Sequence, residues 1–344
     1  MNFARTCALS LVLGAASTAA GADTTLRYSN WLPATHGFMA NVIEPWIADV
    51  ERVTDGRVKV DILPKVVGTV PTQFEVVRDG LADVSLIVDG YSPGRFNVNG
   101  IVELPFLGNN AEAITIAYWR IYKKYLEPFA EYENAIPFGK ASVGAMALAT
   151  GSDKVDTLDG FRGLKLRVPT PTTSKMVAEL GGAPVNKPVS EMYELISTGV
   201  VDGMISSTET IKTFKVAPSI KHVLTVPGGL GSTGISFIVN QEALDELSPA
   251  DREAFWSVSG EVFSKRIGEV YVRLNAEGVA AVLENGGQIN EASAGLTAEL
   301  HEKLKPIEAA WIADAEQRGL KNAADVLAEF RAEIAKLEAE LGDN

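Results

Sequence analysis

The same order of helix, glycine, aspartate and strand occurs twice in this sequence, and this repeated segment plan constrains the fold more than any other feature. "EVVRDGLADVSLI" (residues 75–87) and "ELISTGVVDGMIS" (residues 194–206) each pass from a helical pattern through a glycine to an aspartate that opens an apolar strand. The two glycines, Gly80 and Gly199, are roughly 120 residues apart, about the length of one α/β domain. We therefore expect two similarly built lobes rather than one large sheet.

The segments around this plan alternate between strands and helices. "TTLRYSN", "RVKVDILP" and "VSLIV" are strand patterns separated by helical ones, and "LKLRV", "APVN" and "DGMIS" repeat the alternation in the second half. This order is typical of a parallel sheet that is covered by helices on both faces. The sequence therefore predicts an α/β fold in both lobes.

A long helical pattern follows the second lobe. Ser248 is a good N-cap residue, Pro249 suits the first helical position, and no proline interrupts the pattern before about Glu284. A helix over residues 249–284 is far longer than the average of about 11 or 12 residues. We expect it to lie across both lobes and to brace them.

The last helical segment carries an apolar stripe on one face. Its members are Val326, Phe330, Ile334, Leu337 and Leu341. Such a stripe forms either a dimer seam or, more commonly, the face that packs on its own domain. We predict the packed arrangement and a monomer.

The N-terminus has the pattern of an export signal. Arg5 precedes an apolar run that contains Cys7, and Ala20 and Ala22 form a small-residue cleavage site. We expect residues 1–22 to be removed near Ala22, which leaves a mature chain without cysteine. No later segment is apolar for the roughly 18 residues that a transmembrane helix needs, so we predict a periplasmic protein.

Charge and motif content argue against several function classes. The formal net charge of -13 disfavours nucleic acid and anionic membranes as partners, because both require a basic face. The histidines His36, His222 and His301 lack metal-ligand spacing, and no nucleophile elbow or P-loop occurs. The glycine-rich run at residues 227–234 leads into a strand, so it fits a crossing between lobes better than a phosphate site. We predict no enzyme, no metal and no cofactor.

One arginine stands out in "GLKLRVPTPTTSKM" (residues 163–176). Arg167 ends a strand whose neighbours Leu166 and Val168 are apolar, and Thr170 can cap the following helix. The guanidinium and the helix N-terminus would make one electropositive corner, and a guanidinium fork fits a carboxylate through two bonds. Residue chemistry leaves two interpretations open, an anion-binding site and a salt bridge to a local acidic residue.

Several longer segments resemble one family. "GLKLRVP", "GGAPVNKPVSEMYELISTGVVDG" and "ISFIVNQEALDELSPADREAFW", together with "GLADVSLIVDGYSPGRFNVNGIVELPFL", are similar to the extracytoplasmic solute receptors of tripartite ATP-independent periplasmic (TRAP) transporters, the DctP-type family. The resemblance implies an α/β, two-lobed periplasmic-binding-protein clamshell with chain crossings between the lobes. Its first lobe would comprise residues 23–147 and 234–265, and its second residues 148–233 and 266–344.

The resemblance also implies a function. The protein would bind a small organic acid by its carboxylate, or a sulfonate in the same place, and deliver it to small and large membrane subunits driven by an ion gradient. Arg167 would hold the acidic group. The other residues expected in the substrate site follow strand ends of the two lobes: Asn30, Trp31, Asp89, Tyr91, Ser206, Ser207 and Glu209.

Some alternatives remain at this stage. Asp89 and Glu209 could instead form salt bridges with Arg95 or Lys212. Many relatives have Asn where this chain has Ser206, and the second arginine of sialic-acid-type receptors is missing from "GAMAL" (residues 144–148), so we expect one acidic group to be held. A secreted α/β enzyme for a small anionic substrate, or a periplasmic interaction protein with Arg167 paired internally, are the competing functions.

Overall fold

The computed structural model describes residues 24–152 and 154–342, so the predicted export signal lies outside the described residues. Both predicted sheets are present, which confirms the α/β fold. The strands are β1 (Thr24–Ser29), β2 (Val58–Ile62), β3 (Val84–Val88), β4 (Ala135–Ser142), β5 (Ala147–Thr150), β6 (Lys165–Val168), β7 (Ala183–Asn186), β8 (Gly203–Ser206), β9 (His222–Thr225), β10 (Gly234–Asn240) and β11 (Gln288–Glu291).

Helices cover both sheets. They are α1 (Glu44–Val53), α2 (Gln73–Arg78), α3 (Ala111–Ile121), α4 (Pro171–Glu179), α5 (Met192–Ser197), α6 (Glu209–Thr213), α7 (Gln241–Asp245), α8 (Pro249–Ser257), α9 (Glu261–Glu284), α10 (Ala294–Gln317) and α11 (Ala323–Leu341). None of the helices in the described part of the chain is long and apolar enough to cross a membrane.

Each lobe is built on its own sheet. The first sheet has the strand order β2-β1-β3-β10-β4, and the second has the order β11-β9-β5-β8-β6-β7. In each sheet the strand that enters from the other lobe, β10 or β5, is antiparallel to its two neighbours, and the remaining pairs are parallel. The carboxyl ends of the parallel strands face the space between the lobes, where ligands of open α/β sheets bind.

The repeated segment plan has the same structural role in both lobes. Gly80 and Gly199 end their helices with φ of 68° and 69°, a conformation that glycine adopts without a steric penalty. Asp83 then accepts the backbone N–H of Arg27 on β1 over 2.7 Å, and Asp202 accepts that of Lys165 on β6 over 2.8 Å. Each aspartate thus fixes the register between two parallel strands.

Two chain crossings between the sheets run side by side. The first links β4 to β5 and the second, which is the glycine-rich run, links β9 to β10. Val143 donates its N–H to the carbonyl of Thr233 (3.2 Å), and Leu230 donates to Met146 (2.9 Å). Gly229 has a φ of 81°, and a Cβ there would lie 2.9 Å from the Cα of Ala145. The crossings therefore form one narrow ribbon between the lobes.

The predicted long helix is divided. Helix α8 ends at Ser257 and α9 begins at Glu261, because Gly260 between them has a φ of 68°. Helix α9 still touches both lobes through two of its glycines. A Cβ at Gly268 would lie 2.7 Å from Glu112 of α3, and one at Gly278 would lie 1.9 Å from the carbonyl oxygen of Thr208. Glycine lets the helix approach this closely.

The C-terminal helix packs on the first lobe. Helix α11 lies against α3 rather than against the second lobe, to which the sequence assigned residues 266–344. Its stripe is turned inwards, with Val326, Phe330 and Ile334 at most 1% exposed. The amphipathic pattern shows which face is buried but does not show against which lobe.

Candidate functional site

A cleft between the two sheets leaves about 510 Å³ of empty space, a figure that includes part of its open mouth. Most of its wall is apolar or aromatic. The lining residues are Trp31, Leu32, His36, Phe38, Leu86, Val88, Tyr91, Val143, Arg167, Pro169, Val189, Ser206, Ser207, Glu209, Thr210, Phe214, Thr233, Ile235 and Tyr271.

Arg167 brings a positive charge into this cleft. Its side chain is 1% exposed, its Nε donates to the carbonyl of Lys187 over 2.9 Å, and its Nη2 lies 3.4 Å from the hydroxyl of Tyr91. No carboxylate of the described residues lies within salt-bridge distance of it, and burial lowers the pKa of the guanidinium. Because buried charges are normally paired, the guanidinium retains capacity for an anion from outside the protein.

Tyr91 joins the two lobes beside Arg167. It lies just after β3 of the first lobe, and its hydroxyl oxygen accepts the backbone N–H of Val189 of the second lobe over 2.8 Å. Burial raises the pKa of Tyr91, so the phenol remains protonated. With its oxygen accepting from Val189 and Arg167, the hydroxyl proton is available to a further acceptor. A ligand carboxylate beside Arg167 would be such an acceptor.

Glu209 adds an acidic group to the same cleft. It is 4% exposed and begins α6, where its Oε2 accepts a hydrogen bond from the hydroxyl of Thr213 over 2.9 Å. Burial raises the pKa of Glu209 to about 7. The expected alternative partner, Lys212, pairs with Glu277 at 2.8 Å instead.

Residues with hydroxyl groups flank Glu209 in the chain after β8. Ser206 and Ser207 are buried and line the cleft. Thr210 donates its hydroxyl to the carbonyl of Ser207 over 2.7 Å and lies 3.1 Å from the hydroxyl oxygen of Ser206. These contacts hold the loop between β8 and α6 in place.

Trp31 forms part of the apolar wall. Its indole Nε1 donates to the carbonyl of Leu86 on β3 over 2.7 Å, which fixes the ring at the end of β1. The ring is half-buried and touches the hydrophobic cores of both lobes. A flat aromatic surface in this position suits an apolar or ring-shaped ligand.

Two residues expected in the site lie elsewhere. Asn30 uses its side chain locally, because its Oδ1 accepts from the backbone N–H of Leu32 over 3.1 Å. Asp89 lies in a buried cluster of the first lobe, where it accepts hydrogen bonds at 2.8 Å from Tyr132 and 3.2 Å from Lys140. Neither residue lines the cleft, and Arg95, the alternative partner of Asp89, pairs with Glu133.

The cleft also contains His36 and Tyr271, neither of which was expected in the substrate site. His36 is buried, its Nδ1 accepts the N–H of Phe38 over 3.0 Å, and burial lowers its pKa to about 4, so its Nε2 carries the proton of the neutral ring. Tyr271 belongs to the buried face of α9. His36 could have been predicted, because it shares a loop with Trp31. Tyr271 could not, because helical periodicity does not distinguish a cleft residue from a core residue.

No cluster of His, Cys, Asp and Glu side chains suited to a metal ion occurs among residues 24–152 and 154–342. The polar groups of the cleft are a guanidinium, a carboxyl group, hydroxyls and one neutral imidazole. These groups can bind and orient a small anion.

Sequence comparison assigns the chain to a family. The family model described as DctP, bacterial extracellular solute-binding protein, family 7, matches residues 29–314. A protein from Comamonas testosteroni, described as outer membrane transporter protein TsaT, is 27% identical over 349 residues, with 97% of this chain and 99% of that protein covered.

Two solved structures with the same fold contain aromatic acids. A TRAP periplasmic solute-binding protein from Bordetella bronchiseptica has a TM-score of 0.88 and 34% identity over 91% of this chain and 99% of that one, and it binds (R)- and (S)-mandelate. A TRAP solute-binding protein from Rhodoferax ferrireducens has a TM-score of 0.86 and 26% identity over 93% of this chain and 100% of that one, and it contains copurified benzoate.

Proposed function

The chain belongs to family 7 of the bacterial extracellular solute-binding proteins, the DctP family, and from this premise we propose that it is a TRAP receptor for a small aromatic acid. Its family consists of solute-binding receptors, so the competing enzyme hypothesis is set aside. The observation that carries the proposal is Arg167, a buried guanidinium in an apolar cleft with no carboxylate within salt-bridge distance among the described residues.

Support for a carboxylate comes from the donors around Arg167. The guanidinium fork and the free hydroxyl proton of Tyr91 would together bind both oxygens of one acidic group. The helix N-terminus at α4 follows closely, with Thr170 as its cap, and adds a partial positive charge. A sulfonate would meet the same donors.

Support for an aromatic ring comes from the rest of the wall. Trp31, Phe38 and Phe214 line the cleft beyond the arginine, and such surfaces gain free energy by burying apolar area of a ligand. The related receptors that bind mandelate and benzoate are similar to this chain over 99% and 100% of their own length.

The transport role follows from the family. The lobes would close around the acid, since a ligand that contacts both lobes stabilises the closed state. We infer that the loaded receptor works in the periplasm and passes the acid to the small and large TRAP membrane subunits. A ligand-dependent complex of the purified receptor with those subunits would test this step.

Thermal shift measurements test the ligand proposal. Benzoate or mandelate at 100 times its dissociation constant should add about 2.7 kcal/mol to the free energy of unfolding. For a protein of this size the melting temperature should rise by several degrees, roughly 5 °C or more. Arg167→Lys should remove most of this rise, because lysine keeps the charge but loses the planar fork.

Arg162→Lys is the matched control, since Arg162 is exposed on the surface of the second lobe. It should leave the ligand-induced shift unchanged. A wild-type protein that is stabilised by none of the aromatic acids, or an Arg167→Lys variant that binds them as tightly as wild type, would contradict the proposal.

A further inference from the structure

Two groups of opposite charge face the same cleft without pairing. Arg167 and Glu209 are 1% and 4% exposed, both line the cleft, and within the part of the chain that the structure describes no ion pair joins them to each other or to any other side chain. A buried ion pair is stabilising only when its partners meet with good geometry. Since these two groups remain apart, a ligand that reaches both would satisfy both.

Glu209 has unused hydrogen-bonding capacity. A carboxylate can accept about four hydrogen bonds, and among the described residues its side chain has one donor, the hydroxyl of Thr213, at 2.9 Å from Oε2. Lys212, its neighbour in the chain, is directed to Glu277. A buried acceptor that lacks partners costs free energy unless a bound molecule supplies a donor.

The surroundings limit what that donor can be. Burial raises the pKa values of Tyr271 and Tyr91, and the nearby carboxylate of Glu209 adds to that rise. Phe214 and Trp31 also line the cleft. No metal cluster occurs among the described residues, and His36, which also lines the cleft, is neutral because burial lowers its pKa to about 4. The wall is therefore suited to a neutral donor on a ring rather than to a second anion.

A hydroxyl group fits this position better than an ammonium group. An ammonium group brings three donors that all need acceptors, whereas a hydroxyl brings one donor and can also accept. It can accept from Ser206 or Ser207, which line the same cleft and precede Glu209 closely in the chain. A hydroxyl is also compatible with both the ionised and the protonated carboxyl group.

We propose that Glu209 selects, among aromatic acids, those that carry a ring hydroxyl group. The acid group would lie at Arg167 and the hydroxyl would donate to the free oxygen of Glu209, while Thr213 positions the carboxyl group. This inference rests on the proposed function. It adds a second recognition element, which reads the end of the ligand opposite the carboxylate.

Pairs of ligands that differ only in one ring substituent measure the preference of the wild-type protein for a ring hydroxyl group. Dissociation constants would be determined by calorimetry for 3- and 4-hydroxybenzoate and for the methyl-substituted benzoates of the same positions, which match in size but lack the donor. At one of the two positions the hydroxy acid should bind at least about tenfold tighter than its methyl counterpart, as a hydrogen bond to a charged group implies.

Glu209→Met assigns the effect to this residue. Methionine keeps the length of the side chain and removes both oxygens, so the hydroxy-to-methyl preference should fall to about one, while Glu209→Gln, which keeps an acceptor oxygen, should retain part of it. Glu103→Met is the matched control. Glu103 is buried and burial raises its pKa to about 7, as for Glu209, but it does not line this cleft, so the preference should persist.

The possible outcomes distinguish a wrong role for Glu209 from a wrong assignment of the protein as an aromatic-acid receptor. Equal binding of hydroxy and methyl acids in the wild type, with both dependent on Arg167, would overturn the role of Glu209 and leave the aromatic-acid receptor intact. Tighter binding of 3-(aminomethyl)benzoate than of 3-hydroxybenzoate would overturn the hydroxyl assignment. Binding of no aromatic acid at all would overturn both.

Discussion

At the scale of single residues, the cleft depends on groups from both lobes that meet around Arg167. The hydroxyl of Tyr91, from the first lobe, is 2.8 Å from the backbone nitrogen of Val189 and 3.4 Å from Arg167, both in the second lobe. One oxygen thus links the lobes and orients the guanidinium. Its removal should weaken binding without unfolding either lobe.

Tyr91→Phe tests this link. The variant leaves the N–H of Val189 and one guanidinium N–H without an acceptor, and such buried donors cost about 1–3 kcal/mol. We expect the affinity for the aromatic acid to fall by about tenfold or more, measured by calorimetry. Tyr125→Phe removes a hydrogen bond to Glu329 on the outer surface and should leave affinity unchanged. Binding within twofold of wild type for Tyr91→Phe would contradict the role of this hydroxyl.

Residue chemistry predicted some of these positions and missed others. An arginine between apolar strand residues, just before a helix cap, pointed to Arg167 because such a charge needs a partner. Asp89 and Glu209 looked equivalent in the sequence, since both are acidic residues after strand ends. They differ because Lys140 and Tyr132, distant in the chain, surround Asp89. Spacing along the chain does not report such contacts.

At the scale of elements, α9 is the part that ties the lobes together. It rests on α3 through Gly268 and on the turn before α6 through Gly278. The second contact lies next to Glu209, so the position of the helix also determines the position of that carboxyl group. A change in helix packing here should therefore affect both stability and binding.

Gly278→Ala tests the close approach. The added Cβ would lie 1.9 Å from the carbonyl oxygen of Thr208, and overpacking of this kind costs about 1–3 kcal/mol. We expect a lower free energy of unfolding in urea and weaker ligand binding. Gly295→Ala, in a helix where only Ser293 lies within 4 Å of the new atom, should instead be neutral or stabilising by up to about 1 kcal/mol. Equal effects of the two variants would contradict this account.

Elements were predictable where their signals were local. Glycines and aspartates at matching places predicted parallel strands in both sheets, because each pair ends one helix and opens one strand. The pattern from residue 249 to 284 concealed the break at Gly260, because glycine within a helical pattern gives no sign of its φ. The partner of α11 was also hidden, because an apolar stripe fits any apolar surface.

At the scale of the whole molecule, stability should depend on pH through buried carboxyl groups. Burial raises the pKa values of Glu103 and Glu209 to about 7. Between the unfolded value near 4.5 and about 7, the folded protein holds protons that the unfolded chain releases, so their contribution to stability falls as pH rises through this window. His36, whose pKa is lowered to about 4, acts in the opposite direction between about 4 and 6.5.

A comparison of wild type with one variant isolates the contribution of Glu103 to this pH dependence of stability. From pH 5 to pH 8, wild type should lose more free energy of unfolding than Glu103→Gln does, by more than about 1 kcal/mol. Urea denaturation at both pH values measures the difference. Glu103 accepts hydrogen bonds from Thr170 and Thr172 of the opposite lobe, so the variant also reports on contact between the lobes. Parallel pH profiles would contradict the assignment.

The order of strands in the first sheet has a consequence for synthesis. β10 lies between β3 and β4, yet the ribosome makes it after all of β5 to β9. A nascent chain that ends at residue 233 therefore has a gap in the middle of its first sheet, while five neighbouring strands of the second sheet are already available. Most of the second sheet is therefore made before the first sheet is complete.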